Sequence, residues 1–196
     1  RQYFVAAGEP QRRRFVSLRP SYHGSTLGAL GVTGYQPLEA PFATLTQASL
    51  KVPGPDFYRH ADADDDAHVD RVLAETRATL ETAGPETIVA FVLEPVGGAS
   101  TGGRLLGERY LKGIRALCDE FGCLLILDEV LTGVGRTGAW FAYQHYGVTP
   151  DLLVTAKGLG AGYYPVGALL ARDDLVEAVM ASGGFQHGHT YAGNPL

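Results

Sequence analysis

Three residues combine chemical capability with suggestive placement: Glu94, Asp128 and Lys157 each stand at or just beyond the end of a short apolar run. Lys157 follows Leu152-Leu153-Val154 and precedes Gly158, Gly160 and Gly162, small residues that let backbone crowd a ligand. A lysine amine in a partly desolvated pocket loses its proton more readily and becomes a nucleophile toward aldehydes. Pyridoxal phosphate chemistry uses such a lysine together with a carboxylate on the pyridinium nitrogen, and Asp128 at the end of the preceding run can supply that charge. Of the three lysines, the other two have surface explanations: Lys112 lies on the polar side of a helical pattern and Lys51 in a Pro-rich loop. Taken alone, a lysine at a strand end is more often structural than catalytic.

The elements that must position these groups are legible as alternating patterns. Val69, Val72, Leu73, Thr76 and Leu80 recur at helical spacing between Ala67 and Ala83, where Gly84-Pro85 stops the run. Ile88 to Leu93 then reads as a strand buried on both faces, ending at Glu94-Pro95. The pattern repeats with a helix from Leu106 to Phe121 and a strand from Cys123 to Leu127 ending in Asp128-Glu129. A third helix candidate, Trp140 to Tyr146, leads to the strand Leu152 to Thr155, while Phe15 to Leu18 is a further strand and Ser25 to Gly34 a small helix. Residues 36–66 read as mostly loop. The alternation predicts an α/β fold, a mostly parallel sheet with helices on both faces, and functional groups at the carboxyl ends of its strands.

Two other motifs point elsewhere and lose on context. Gly133-Val134-Gly135-Arg136-Thr137-Gly138 matches a dinucleotide-binding fingerprint, but Asp128-Glu129 intervene between strand and glycines, and the next acid, Asp151, begins its strand instead of ending it. Leu124 to Glu129 resembles the magnesium-holding strand of P-loop ATPases, yet the dipeptide Gly-Lys of the phosphate loop occurs nowhere in the sequence. The run Asp62-Ala63-Asp64-Asp65-Asp66 between His60 and His68 has metal-ligand chemistry, but acids just before a helix also cap it, and capping is the expected role.

The 196 residues are 45% apolar with a formal charge of -5, which excludes disorder and offers no general attraction for nucleic acid or anionic lipid. No apolar run approaches the roughly 20 residues that cross a bilayer, so no membrane association is expected. Cys118 and Cys123 do not form a disulfide or CxxC pattern, and a reducing, cytoplasmic compartment is expected. The sequence starts at Arg1 and closes on Gly193-Asn194-Pro195-Leu196, which reads as a helix start, so a segment of a longer protein is expected.

Beyond spacing, Tyr22-His23-Gly24, Glu94-Pro95-Val96, Asp128-Glu129-Val130, Thr132 to Gly138, Pro150-Asp151, Ala156-Lys157-Gly158 and His189 to Pro195 together resemble the class III aminotransferases, in order along essentially the whole chain. The resemblance implies pyridoxal 5'-phosphate and the large domain of fold type I, incomplete over residues 1–196, with a phosphate loop and a C-terminal small domain outside the sequence. It implies that Lys157 forms the Schiff base and transfers protons and that Asp128 pairs with the pyridine nitrogen. Cofactor-binding residues implied with them are Tyr22 stacking on the ring, His23 and Gly24 shaping the turn beneath it, Val130 on the other face and Glu94 nearby. Thr190 is implied to reach the cofactor phosphate of a neighbouring subunit in a homodimer with shared sites. His187 and His189 read as loop residues and no metal is expected; Arg136 reads as a structural anchor. One departure is Leu131, where many members carry a glutamine that donates to the cofactor's phenolic oxygen. The implied reaction is transamination between an amino donor, an omega-amino acid or amine, and a 2-oxo acid. A same-fold decarboxylase, aminomutase or racemase, or a non-catalytic module, are the alternatives.

Overall fold

Apolar runs with no polar interruption must be covered on both sides, and the sheet is built around them. The computed structural model describes residues 1–190 and 192–193. In chain order the helices are α1 (Gln2–Ala6), α2 (Leu27–Val32), α3 (Gln36–Glu39), α4 (Asp65–Ala83), α5 (Glu108–Phe121) and α6 (Asp173–Ala181). The strands are β1 (Arg14–Arg19), β2 (Leu50–Pro53), β3 (Ile88–Leu93), β4 (Leu124–Asp128), β5 (Leu152–Thr155) and β6 (Ala168–Ala171). The described residues form a six-stranded sheet of order β2-β1-β3-β4-β5-β6, parallel except for β6, which runs antiparallel to β5. The expected α/β class and mostly parallel sheet are therefore present.

One face carries the main core. Val69, Val72 and Leu80 of α4 and Tyr110, Leu111 and Ile114 of α5 pack on Val16, Val52, Phe91, Leu93, Leu125 and Leu127. Each such fully buried side chain contributes about 1.5–3 kcal/mol relative to exposure. Asp64 caps α4 by accepting the Ala67 amide at 2.7 Å, so the acidic run does serve the helix start. Gly122, at φ +65, closes α5 in the left-handed conformation that its missing Cβ makes inexpensive.

The opposite face is covered unevenly. Phe4 of α1 packs with Val89, Ala90, Phe15, Leu124 and Ile126 at the amino end of the strands. Elsewhere on this face, Phe15, Val92, Ile126, Asp128 and Val154 form the floor of a cavity of about 960 Å³ that runs from Arg13, Arg14 and Thr87 to His23, α2 and residues 47–49.

Several expected elements differ. The 36–66 segment contains α3 and β2, and Lys51 sits on β2 with its side chain only 10% exposed, not on a surface loop. Around Trp140–Tyr146 there is a 3-10 turn, Ala142–His145, in place of an α-helix. Buried Glu129 sets that turn by accepting the amides of Ala142 and Tyr143, both at 2.8 Å. Arg136 is exposed and bonds to no described residue, so it anchors nothing among them. The Gly-rich turn is tied instead by Val134 N–H to Trp140 O at 2.7 Å. The helix start expected at Asn194-Pro195, like Tyr191, lies outside the described residues.

Candidate active site

The tip of β4 carries the central contact. Asp128 Oδ2 lies 2.9 Å from His23 Nδ1, and Asp128 Oδ1 accepts the Val130 amide at 3.1 Å. An ionised carboxylate only accepts, so Nδ1 is the protonated ring nitrogen. His23 Nε2 is then a buried atom with no hydrogen-bond partner among the described residues.

His23 reaches Asp128 because its backbone is fixed on both sides. Tyr22 N–H donates to Glu94 Oε2 at 2.9 Å, and His23 N–H donates to Thr33 Oγ1 at 2.9 Å. Gly24 adopts φ +124 beneath α2, where an added Cβ would stand 3.0 Å from that of Ala29. The Tyr22 hydroxyl is 3.1 Å from Ser25 Oγ.

Glu94, just past β3, is buried and splits its carboxylate between two amides, Tyr22 and Gly98, the latter at 3.0 Å. Burial raises its pKa, and the two amide bonds oppose that rise. Leu131 belongs to the same neighbourhood, with its Cδ2 3.1 Å from where a Cβ on Gly98 would project. An apolar side chain thus fills the place just after the Asp-Glu-Val triplet.

Lys157 follows β5, which pairs directly with β4 through Asp128 and Val154. Its side chain is exposed, and Nζ bonds to no described residue. It lines a depression with Ala156, Gly162, Tyr164, Pro165 and Val166, whereas Asp128 and Val154 line the larger cavity. Its φ is +42, and Val134 and Ala161 are the other non-glycine residues with positive φ among those described. Strained residues of this kind collect at functional sites, and these three cluster around the ends of β4 and β5. Sequence patterns carry no sign of that strain.

The structure thus brings Tyr22, His23, Gly24, Glu94, Asp128 and Val130 into one connected unit, with Lys157 on the adjacent strand end. Thr190 is exposed and bonded to no described residue of that unit; nearby His187 and His189 face each other at 2.9 Å. His60, Asp62 and His68 do converge, their ligand atoms within 4.8 Å of one another. However, His68 Nε2 accepts the Asp56 amide, so Nδ1 bears the proton and donates to Asp62, while Arg71 bonds Asp62 at 2.9 Å through two nitrogens. Arg71 and His68 hold Asp62 well below the usual carboxylate range. A proton and a guanidinium already fill the role a cation would take.

Sequence reasoning missed Glu129, fully buried, which accepts Thr132 Oγ1 at 2.5 Å besides the two amides of the 3-10 turn. It also missed Asp151, whose Oδ2 accepts Arg115 and the Leu125 amide at 2.8 and 2.7 Å. An acid beginning a strand signalled that role, since it lies beside the start of β4.

Comparison with known proteins decides the family. The model for "Aminotransferase class-III" matches residues 1–196. The chain belongs to the class III aminotransferases. A probable aminotransferase of Mycobacterium tuberculosis is 39% identical over all of this chain and 42% of its own length. An adenosylmethionine-8-amino-7-oxononanoate aminotransferase of Geobacter sulfurreducens is 37% identical, again over all of this chain and 44% of that protein. The omega transaminase of Pseudomonas jessenii, solved in complex with PMP, superposes with a TM-score of 0.90 at 33% identity, covering 97% of this chain and 43% of that one. This class III chain accordingly has the fold of the type I pyridoxal-phosphate transaminases, and it spans less than half the length of these relatives.

Proposed function

We propose that this chain is the large-domain part of a pyridoxal-phosphate-dependent transaminase. The observation that carries the reading is the buried His23–Asp128 contact at the tip of β4, with Lys157, whose amine bonds to no described residue, at the end of the neighbouring strand β5. The residues fit the group: Asp128 keeps a carboxylate at the cavity floor, the backbones of Val130 and Tyr22 are tied to Asp128 and Glu94, and among the described residues the buried His23 Nε2 has no partner. When bound, pyridoxal phosphate supplies an aldehyde that captures amines and a ring that accepts electrons.

Lys157 Nζ is the amine that holds the cofactor and then moves the substrate proton. Asp128 places negative charge against the ring nitrogen, and His23 fixes that carboxylate by donating from Nδ1. Glu94 holds the amides of Tyr22 and Gly98, so the turn carrying His23 stays at one distance from β3. Leu131 offers no hydrogen bond to the cofactor's phenolic oxygen, so that bond is either absent or supplied by another group.

The donor is an amine or omega-amino acid and the acceptor a 2-oxo acid, a reading supported by the omega transaminase likeness. The working protein is a homodimer in which Thr190 completes the partner's site, as its exposure allows, together with a phosphate loop and small domain beyond these residues. It works in the cytoplasm, a reading supported by two buried free thiols; no described helix is long and apolar enough to cross a membrane.

The natural-length protein, loaded with pyridoxal phosphate, should convert an omega-amine and pyruvate to an aldehyde and alanine, and Lys157→Ala should stop it. Release of carbon dioxide, migration of the amino group within the donor, or racemisation, in place of the oxo product, would contradict the reading.

A further inference from the structure

Lys51 is one of the two lysines that the sequence assigns to the surface, yet the fold buries most of its side chain. Its ammonium is enclosed by β1, β2 and the end of α2: Nζ donates to Thr33 O at 2.6 Å, Ser49 Oγ at 2.7 Å and Ser17 Oγ at 3.0 Å. Ser17 is fully buried, and its hydroxyl lies 2.8 Å from that of Ser49. The charged groups facing the amine are Glu39 of α3, with Oε1 3.6 Å away, and Arg19 of β1, which reaches the other Glu39 oxygen at 3.6 Å. An ammonium has three N–H donors, and the cage supplies an acceptor for each.

The cage matters because of what Thr33 does next. Thr33 is fully buried, its backbone oxygen accepts a hydrogen bond from Lys51 Nζ, and its hydroxyl accepts His23 N–H at 2.9 Å while donating to Gly24 O at 3.2 Å. His23 then meets Asp128. Three successive contacts therefore join β2 at the sheet edge to the carboxylate at the tip of β4. Ser49 adds a second connection, since its amide donates to Gly31 O at 2.8 Å and its residue walls the same cavity as His23 and Asp128.

We propose that Lys51 is a positioning residue for the Tyr22–Gly24 turn, setting through Thr33 the placement of His23 against Asp128 and so the affinity for the cofactor. The proposal rests on the transaminase reading only for its cofactor readout. Removing the ammonium leaves Thr33 O, Ser17 and Ser49 without their shared donor and frees the end of α2. The turn then samples positions in which His23 Nδ1 no longer meets Asp128.

The experiment compares the natural-length protein with K51M, K51R, T33V and the double variant K51M/T33V. Without cofactor, K51M should speed hydrogen exchange in the peptide bearing the His23 amide by about tenfold, the scale of a lost charge-assisted hydrogen bond. It should weaken pyridoxal phosphate binding by a similar factor, with K51R recovering most of both. Because Lys51 acts through Thr33, K51M/T33V should lose no more cofactor affinity than the more damaging single variant. Losses that multiply, or a K51M protein with lowered Tm but ordinary His23 exchange and cofactor affinity, would overturn the proposal. If K51M does not fold, K51Q, which keeps two N–H donors, carries the same comparison. Failure of every protein, wild type included, to bind the cofactor would count against the transaminase reading, while the exchange of His23 would still decide the role of Lys51.

Discussion

The Nδ1 atom of His23 sits 2.9 Å from Oδ2 of Asp128, although 105 positions separate the two residues in the chain. Neither group reaches the other by local structure. Asp128 is held by β4 and by the Val130 amide; His23 is held by Glu94 and Thr33 through its own and its neighbour's backbone. The contact gives Asp128 a fixed, partly desolvated carboxylate, the condition under which it can hold a positive ring nitrogen.

Asp128→Asn keeps the shape of that side chain and removes its charge. The variant is expected to retain bound cofactor while kcat falls about a hundredfold or more, the scale on which preorganised charge acts. Single-turnover kinetics with a deuterated donor should show proton removal as the slowed step; near-normal turnover would refute the role.

Lys51 gives the fold a pH signature. Desolvation by burial lowers its pKa from 10.5 to about 8, against the opposing pull of Glu39. Between those values the unfolded chain binds a proton that the folded chain has released, so stability should rise as pH climbs from about 8 toward 10.5. Urea unfolding midpoints across that range check it, and K51M should flatten the slope.

Glu129 should govern stability more than chemistry. Its carboxylate accepts one hydroxyl and two amides while fully buried, so Glu129→Ala leaves three donors unpaired. A loss of about 3 kcal/mol or more in unfolding free energy is expected. Denaturant titration tests it, and an unchanged midpoint would mean that the Ala142–His145 turn is held by other contacts.

Shared sites make a sharper test of Thr190 than its exposure does. If Lys157 and Thr190 of one site come from different subunits, mixing inactive K157A with inactive T190A and allowing exchange should restore roughly a quarter of wild-type activity. No recovery, with exchange confirmed by mass, would place both residues in the same subunit's site.

How far the sequence foretold this arrangement depended on burial. β3 and β5 fall where their uninterrupted apolar runs ended, and Glu94, Asp128 and Lys157 stand at three neighbouring strand ends because the sheet order β3-β4-β5 follows the chain. β6 escaped notice because Leu169 and Leu170 are both substantially exposed on an edge strand, so neither alternation nor a buried run marks them. β2 is short, lies at the opposite edge and ends at Pro53, which resembles loop punctuation. Lys51 was misplaced for a related reason, since its burial comes from α2 and α3 folding over the sheet edge. The Trp140–Tyr146 segment has helical apolar spacing, but Glu129 draws two consecutive amides toward itself and tightens the backbone into a 3-10 turn. The partner of Asp128 was not legible: the resemblance put His23 in the turn beneath the ring, and no pattern in the sequence announces that its side chain will meet Asp128.

The central claim is that Lys157 is the amine that takes the cofactor. Borohydride reduction of the natural-length protein mixed with pyridoxal phosphate, followed by peptide mapping, tests it most directly. The account predicts a visible absorption band that reduction abolishes and a single labelled peptide carrying Lys157. Label confined to Lys51 or Lys112, or no band at all, would contradict it.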